Sequence, residues 1–232
     1  MKKKPIALLI LDIVSLVLLG IAAYLALSYA PMEATMGNVQ RVFYFHVANA
    51  WVGMLGFLAA GVAGIAYLKT AKPKWDIVEV AAVEISLVFF FIAIVLGSIW
   101  ARPVWNTWWT WEPRLTTAAI TEMIYLAYFM LRGGIEDPNR RARFSAVYTL
   151  VGAVSVPITF MAIRFFRTIH PVVIGSESAQ AQGGFNMSPD MKVAFFFALF
   201  TFTVIFADLF WHRIRLGNLQ NKVEELKLKV ME

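Results

Sequence analysis

Six apolar runs, each about as long as a helix needs to cross a bilayer core of about 30 Å, constrain this chain more than any other feature. They fall at roughly 6–30, 45–68, 77–101, 115–132, 144–164 and 191–211. Backbone polar groups in lipid must be paired within the segment, so each run is expected to be a helix. A transmembrane β-barrel needs short segments of alternating polarity, and the sequence shows none. Charged residues make up 16% of the chain and hydrophobic residues 59%, with a mean hydropathy of +0.66. A soluble domain would be about a quarter charged. The expected fold class is therefore all-α: a polytopic membrane bundle of six transmembrane helices over 1–211, followed by a short tail over 212–232.

The net charge of +6 invites a nucleic-acid partner, but the placement of the charge argues against one. Fifteen of the 21 basic residues lie before the first run, after the second, after the fourth and after the sixth. Such a bias puts both termini in the cytoplasm. Met1-Lys-Lys-Lys-Pro5 followed by Ile6–Ala30 mimics a signal peptide. The run is longer than a signal core of about 7–15 residues, and Pro31 makes Ser28-Tyr29-Ala30 a poor cleavage site, so a retained helix is expected. The chain has no cysteine, which excludes disulfides, Cys-x-x-Cys redox pairs and thiolate metal sites.

Alternating sidedness places three loops on the outer face. The first ends at His46, the second is the stretch Trp100–Thr116, and the third begins near His170; His212 falls on the inner side and is assigned no role. Five of the eight tryptophans sit in the second loop: Trp100, Trp105, Trp108, Trp109 and Trp111. An interfacial aromatic belt accounts for Tyr29, Phe43, Tyr44, Phe45 and Trp51. Five indoles in one loop exceed a belt and favour a platform for a large flat apolar ligand. If 105–112 is helical, Trp105, Trp108 and Trp109 share one face, with Trp111 off it.

Arg102 and Arg114 bracket the platform. They either snorkel to lipid phosphates or recognise carboxylates on the same ligand. Glu112 is placed to pair with Arg114 or to hold Trp111. A lone interfacial histidine usually makes a hydrogen bond, but His46 and His170 share a face with the indoles, and neutral imidazole is a good iron ligand. Two imidazoles, a flat indole surface and two guanidiniums together describe a haem site.

Asp12, Glu84 and Glu122 lie inside apolar runs, where a carboxylate needs a partner or faces the bundle. Asp12 and Glu84 are within reach of inner-face lysines, and Glu122 is nearer the outer site. The outer loop over 171–189, with Gly-Ser-Glu-Ser-Ala-Gln-Ala-Gln-Gly-Gly, reads as a linker or a partner contact. The tail spaces Leu216, Leu219, Val223, Leu226 and Val230 alternately by three and four residues. That is a narrow apolar stripe, suited either to the inner membrane surface or to a cytoplasmic partner.

Trp105-Asn-Thr-Trp-Trp-Thr-Trp-Glu-Pro-Arg-Leu-Thr116 resembles the WWD signature of the haem-handling family of cytochrome c maturation. Gln40-Arg-Val-Phe-Tyr-Phe-His46 and Arg164-Phe-Phe-Arg-Thr-Ile-His170 are similar to that family's two histidine segments. Length and six spans resemble the CcmC type, over about 6–211. Asn106 stands where the family has Gly, and Glu112 where it has Asp; Asn tolerates a left-handed turn better than most residues. The resemblance implies haem b (iron protoporphyrin IX) held at the periplasmic face of the inner membrane. It implies His46 and His170 as axial ligands, with Trp105, Trp108, Trp109 and Trp111 stacking and Arg102 and Arg114 meeting propionates. It also implies delivery to the haem chaperone CcmE, association with the ABC transporter subunits CcmA and CcmB, and no bond chemistry on the macrocycle. Two other functions are weighed beside it: a haem lyase or cytochrome c synthase, and a structural subunit whose tryptophans only anchor it.

Overall fold

The computed structural model describes residues 4–34, 36–173 and 187–231. Lys2, Lys3 and the glycine- and serine-containing part of the 171–189 loop lie outside the described residues. Among those described the chain is helical, with no strand beyond an isolated bridge between Glu33 and Gly37. The helices are α1 (Ile6–Tyr24), α2 (Gln40–Thr70), α3 (Pro73–Trp105), α4 (Pro113–Gly133), α5 (Pro138–Phe165) and α6 (Pro189–Met231). The last turn of the first span, Leu25–Tyr29, widens into a π-helix. There the Tyr29 hydroxyl donates to Asp190 Oδ1 at 2.9 Å, tying the end of this span to the start of α6.

A helix is present at each of the six expected runs, and most run beyond their apolar stretches. Local chemistry sets the boundaries. Proline opens α3, α4, α5 and α6, where its missing N–H costs nothing. Glu112 and Asp137 cap α4 and α5, accepting from Leu115 N at 2.9 Å and Arg140 N at 2.6 Å. Ala71, at φ 51°, closes α2 and leaves a two-residue turn into α3. Five of the helices are long and apolar enough to cross a membrane by length and composition; α4 is not among them. Its 21 residues give about 31 Å of helix, but Arg114, Glu122 and Arg132 lower its hydropathy. Those polar groups turn toward the bundle. Thr121 Oγ1 meets Ser155 Oγ at 3.1 Å and Thr159 Oγ1 at 3.0 Å on α5, and Arg132 clamps Asp76 of α3 at 2.6 and 3.1 Å.

Helix α2 is the central one, packed along α3, α5 and α6. It approaches its neighbours closely because of small residues: a Cβ on Gly56 would collide with Ser86 Oγ, and one on Gly64 would stand 2.8 Å from Thr149 Oγ1. Lipid-phase helix pairs associate through such close backbone contact. At the end rich in Lys and Arg, Lys4 pairs with Asp12, His212 Nε2 meets Asp12 Oδ1 at 2.7 Å, and Arg213 Nε meets Glu84 at 2.7 Å. Of the in-span carboxylates, Asp12 and Glu84 thus have charged partners, with arginine instead of lysine at Glu84, whereas Oε2 of the buried Glu122 has none. His212, given no role from sequence, joins α6 to α1.

Candidate functional site

The three segments singled out by sequence meet at the other end of the bundle. His46 sits inside α2, nearly two turns from its start, because that helix begins at Gln40. Its Nδ1 lies 2.8 Å from the Ala93 carbonyl of α3. A carbonyl only accepts, so Nδ1 carries the proton and Nε2 presents its lone pair. The ring fits against α3 through Gly97, where a Cβ would stand 2.8 Å from His46 Cε1.

Helix α3 runs on to Trp105 and takes Trp100, Arg102 and Pro103 with it. It ends because Asn106 is left-handed, at φ 57° and ψ 23°. The substitution of Asn for Gly is therefore accommodated at the kind of turn that tolerates it. From there to Glu112 the chain is not helical. The single face expected for Trp105, Trp108 and Trp109 if 105–112 were helical does not form. The left-handed Asn106 stops α3, and Pro113 forces Glu112 into an extended conformation that prevents α4 from growing backwards. Trp105 and Trp109 turn inward to one cleft, whereas Trp108 and Trp111 are 57% and 76% exposed.

His170 comes from the segment after α5. Its backbone N–H donates to Thr168 Oγ1 at 3.0 Å, the Thr168 hydroxyl donates to Glu112 Oε2, and Glu112 Oε1 caps α4. Glu112 makes no direct ion pair with Arg114, though its charge acts on that guanidinium, and it staples the tryptophan loop to the second histidine segment. The sequence carried a sign of this capping role, an acid directly before the proline that opens a helix. Nothing in the sequence pointed to Thr168, Ala93 or Gly97. The Trp105 and His170 rings lie 5.7 Å apart at 60°, and Trp100 meets Trp105 edge-on at 5.3 Å.

The cleft is lined by His46, Gly97, Trp100, Trp105, Trp109, Arg114 and His170. An adjoining hollow, walled by Phe43, Trp51, Phe160 and Val173, shares His46, Trp100, Arg114 and His170 with it. Both imidazoles therefore line the same cleft, and both also line the hollow beside it. The Arg114 guanidinium reaches into it while donating from Nη1 to the carbonyls of Thr159 and Phe160, each at 3.1 Å. Arg102 does not line the space; it is exposed and donates to Asn106 O at 2.8 Å and to Asn106 Oδ1, holding the turn that ends α3. Glu122 is buried but does not line the cleft.

Several nitrogens around this space have no partner: Trp100 Nε1, Trp109 Nε1 and His170 Nδ1 are all buried and unpaired. Unpaired buried polar atoms also occur elsewhere in the bundle, at Ser86, Ser145 and Thr201 among others, but these three nitrogens belong to residues that line the cleft. Burial, with the Arg114 guanidinium and the His46 ring nearby, holds the His170 imidazole well below its usual range. It is therefore neutral near pH 7, the state in which imidazole binds a metal. Imidazole, indole and guanidinium side chains around an apolar cleft are the groups that could hold a metalloporphyrin bearing carboxylates.

The sequence profile of the family described as heme exporter protein C matches residues 3–229. The chain is 31% identical over 214 residues to the heme exporter protein C of Bradyrhizobium diazoefficiens, covering 92% of this chain and 80% of that protein. To the heme exporter protein C of Escherichia coli strain K12 it is 29% identical over 205 residues, covering 88% and 81%.

Proposed function

As the chain belongs to the heme exporter protein C family, a haem-handling family of cytochrome c maturation, we propose that it holds haem b between His46 and His170 and passes it on to a haem chaperone. The observation that carries this reading is the cleft lined by both imidazoles, with three unpaired buried ring nitrogens around it. His46 offers Nε2, its tautomer fixed by Ala93, and His170 is held in place through Thr168 and Glu112. Trp105 and Trp109 supply apolar walls. Trp108 and Trp111 form the exposed lip, where a chaperone would approach. Arg114 reads a propionate from within, and Arg102 acts at one remove by fixing the Asn106 turn. The bound iron supplies Lewis acidity toward imidazole and nothing more is asked of it. The protein binds, orients and releases, with no bond made to the macrocycle.

The reading extends to the setting. The site lies on the periplasmic face of the inner membrane, both termini are cytoplasmic, the chaperone is CcmE, and CcmA and CcmB form the transporter with which this chain assembles. The family name implies an exporter, a transfer component within a larger assembly.

Haem titrated into the detergent-purified protein should give the Soret and α/β bands of paired imidazole ligation. Failure to take up haem in this titration would leave the structural-subunit reading. Incubating the loaded protein alone with a Cys-x-x-Cys-His peptide should give no thioether product; a covalent adduct would instead make it a lyase.

Two smaller effects follow from the geometry. Gly97→Ala places a methyl group against His46 Cε1, so the ring must shift. Haem affinity should fall about 10–100-fold, the range for disturbing a ligand's support, with the α/β bands displaced. Unchanged spectra would mean that His46 is not the ligand. For pH, the depressed basicity of His170 means that protonation competes with the metal only below the ordinary imidazole value of about 6.5. The unfolded chain takes up that proton near 6.5, so this histidine lowers fold stability as pH falls through that value. The spectroscopic midpoint for acid loss of ligation should lie below about 6.5; a midpoint at or above it would mean a solvated ring.

A further inference from the structure

Helix α6 continues without interruption for 43 residues, from Pro189 to Met231. At 1.5 Å per residue it is about 64 Å long, roughly twice a bilayer's hydrocarbon thickness. Its last buried residue is Gly217, where a Cβ would stand 2.6 Å from Ile77 Cγ2 near the start of α3. That contact fixes the direction in which the helix leaves the bundle, at the end opposite the tryptophan loop. From 218 to 231 every residue is exposed. The tail is thus a rod leaving the bundle along the span that anchors it. To lie flat on a membrane surface, the helix would have to break, and it runs uninterrupted through that point with no proline inside it.

The rod carries a seam. Leu216, Leu219, Val223, Leu226 and Val230 follow the alternating three- and four-residue spacing of the core positions in a heptad, and each is 40% or more exposed. The positions flanking that seam are Gln220, Lys222, Lys227 and Lys229, polar or basic without exception. The acids Glu224 and Glu225 lie off the seam, with Glu224 Oε2 3.8 Å from Lys227 Nζ. Flanking charges choose coiled-coil partners, and like charges across the seam repel. A second copy of this chain would set Lys222 against Lys227, so self-pairing is disfavoured.

We propose that residues 216–231 dock an amphipathic helix of a protein partner, one whose apolar seam is flanked by Asp or Glu, in a short two-stranded coiled coil. Two heptads alone pair weakly, but a helix already nucleated by its transmembrane part avoids the cost of starting a free one. Confinement to the same membrane complex raises the effective concentration of its partner.

The test uses the full chain in nanodiscs of zwitterionic lipid and two labelled synthetic helices. Both have leucine along the seam; one has Glu at every flanking position, the other Lys. Fluorescence anisotropy should show the Glu helix binding at least about tenfold tighter at low salt, with the gap narrowing as salt screens the charges. Lys222→Glu, Lys227→Glu and Lys229→Glu together should reverse the preference, and Leu226→Asp should abolish binding of both. Circular dichroism should be unchanged in each variant. Equal binding of the two helices, or none, overturns the proposal. So does a spin-label distance between 205 and 226, in nanodiscs with anionic lipid, well short of the about 31 Å of an unbroken helix, because the tail would then lie on the lipid surface.

Discussion

A protein carrying both His46→Ala and His170→Ala is expected to lose the paired-imidazole spectrum entirely, with haem affinity falling more than about a hundredfold. Disturbing only the support of a ligand costs 10–100-fold, so removing both donors sets that range as a floor. The single variants should differ from each other. His46 is packed between α2 and α3, its Nδ1 bound to Ala93, and its loss removes that second bond to a helical carbonyl and leaves a gap opposite Gly97. His170 sits on a short segment outside the helices, its ring against Trp105 and its Nδ1 without a partner, so its loss removes a metal donor but breaks no side-chain hydrogen bond. His170→Ala should therefore keep its thermal midpoint, show a spectrum with one imidazole, and regain the second set of bands when free imidazole is added. Cytochrome c maturation in cells carrying the double variant should fall to background while membrane levels of the protein hold. Unaltered bands in the double variant would remove both residues from the site.

The membrane architecture was legible because burial in lipid is written directly into hydropathy. All six runs became helices, and Pro73, Pro113, Pro138 and Pro189 mark where four of them start. Charge bias alone was enough to expect His46, the tryptophan loop and His170 at one end, and these three segments do line one cleft. The path of the tryptophan loop was less accessible. Helical spacing suggested one face for Trp105, Trp108 and Trp109, but a single left-handed residue, Asn106, and the extended Glu112 before Pro113 divide them. Backbone choices of this kind outweigh side-chain periodicity over short stretches. The capping role of Glu112 was missed for the same reason, since its bond to Leu115 N depends on where α4 begins. The supports at Ala93, Gly97 and Thr168 come from other helices or segments, and no local pattern marks such long-range contacts. The tail shows the reverse case. Its stripe was plain in sequence, while the continuity of α6, which decides where that stripe points, needed the structure.

Arg114→Ala is expected to have the second large effect, and a haem diester separates its causes. The guanidinium lies inside the cleft shared by the two histidines and is anchored at Nη1 by the carbonyls of Thr159 and Phe160. Hydrogen bonds to a charged group contribute roughly 1.5–3 kcal/mol each, so truncation loosens α4 from α5 as well as removing a charge. Loss of affinity alone would not show which of these matters. If Arg114 meets a propionate, the normal protein should bind haem about tenfold or more tightly than the dimethyl ester, which has the same ring and iron but no carboxylate charge; such a gap corresponds to about 1.4 kcal/mol. In Arg114→Ala that gap should vanish, both ligands binding with the affinity now shown by the ester. Arg114→Lys keeps a point charge but loses the planar fork, so it should retain part of the gap. A purely structural arginine gives a different pattern: Arg114→Ala would weaken haem and ester by the same factor, and the normal protein would not discriminate between them. Arg102→Ala serves as the contrast, since that side chain holds Asn106 outside the cleft. It should weaken both ligands equally by moving the loop, leaving the discrimination of haem from ester to Arg114.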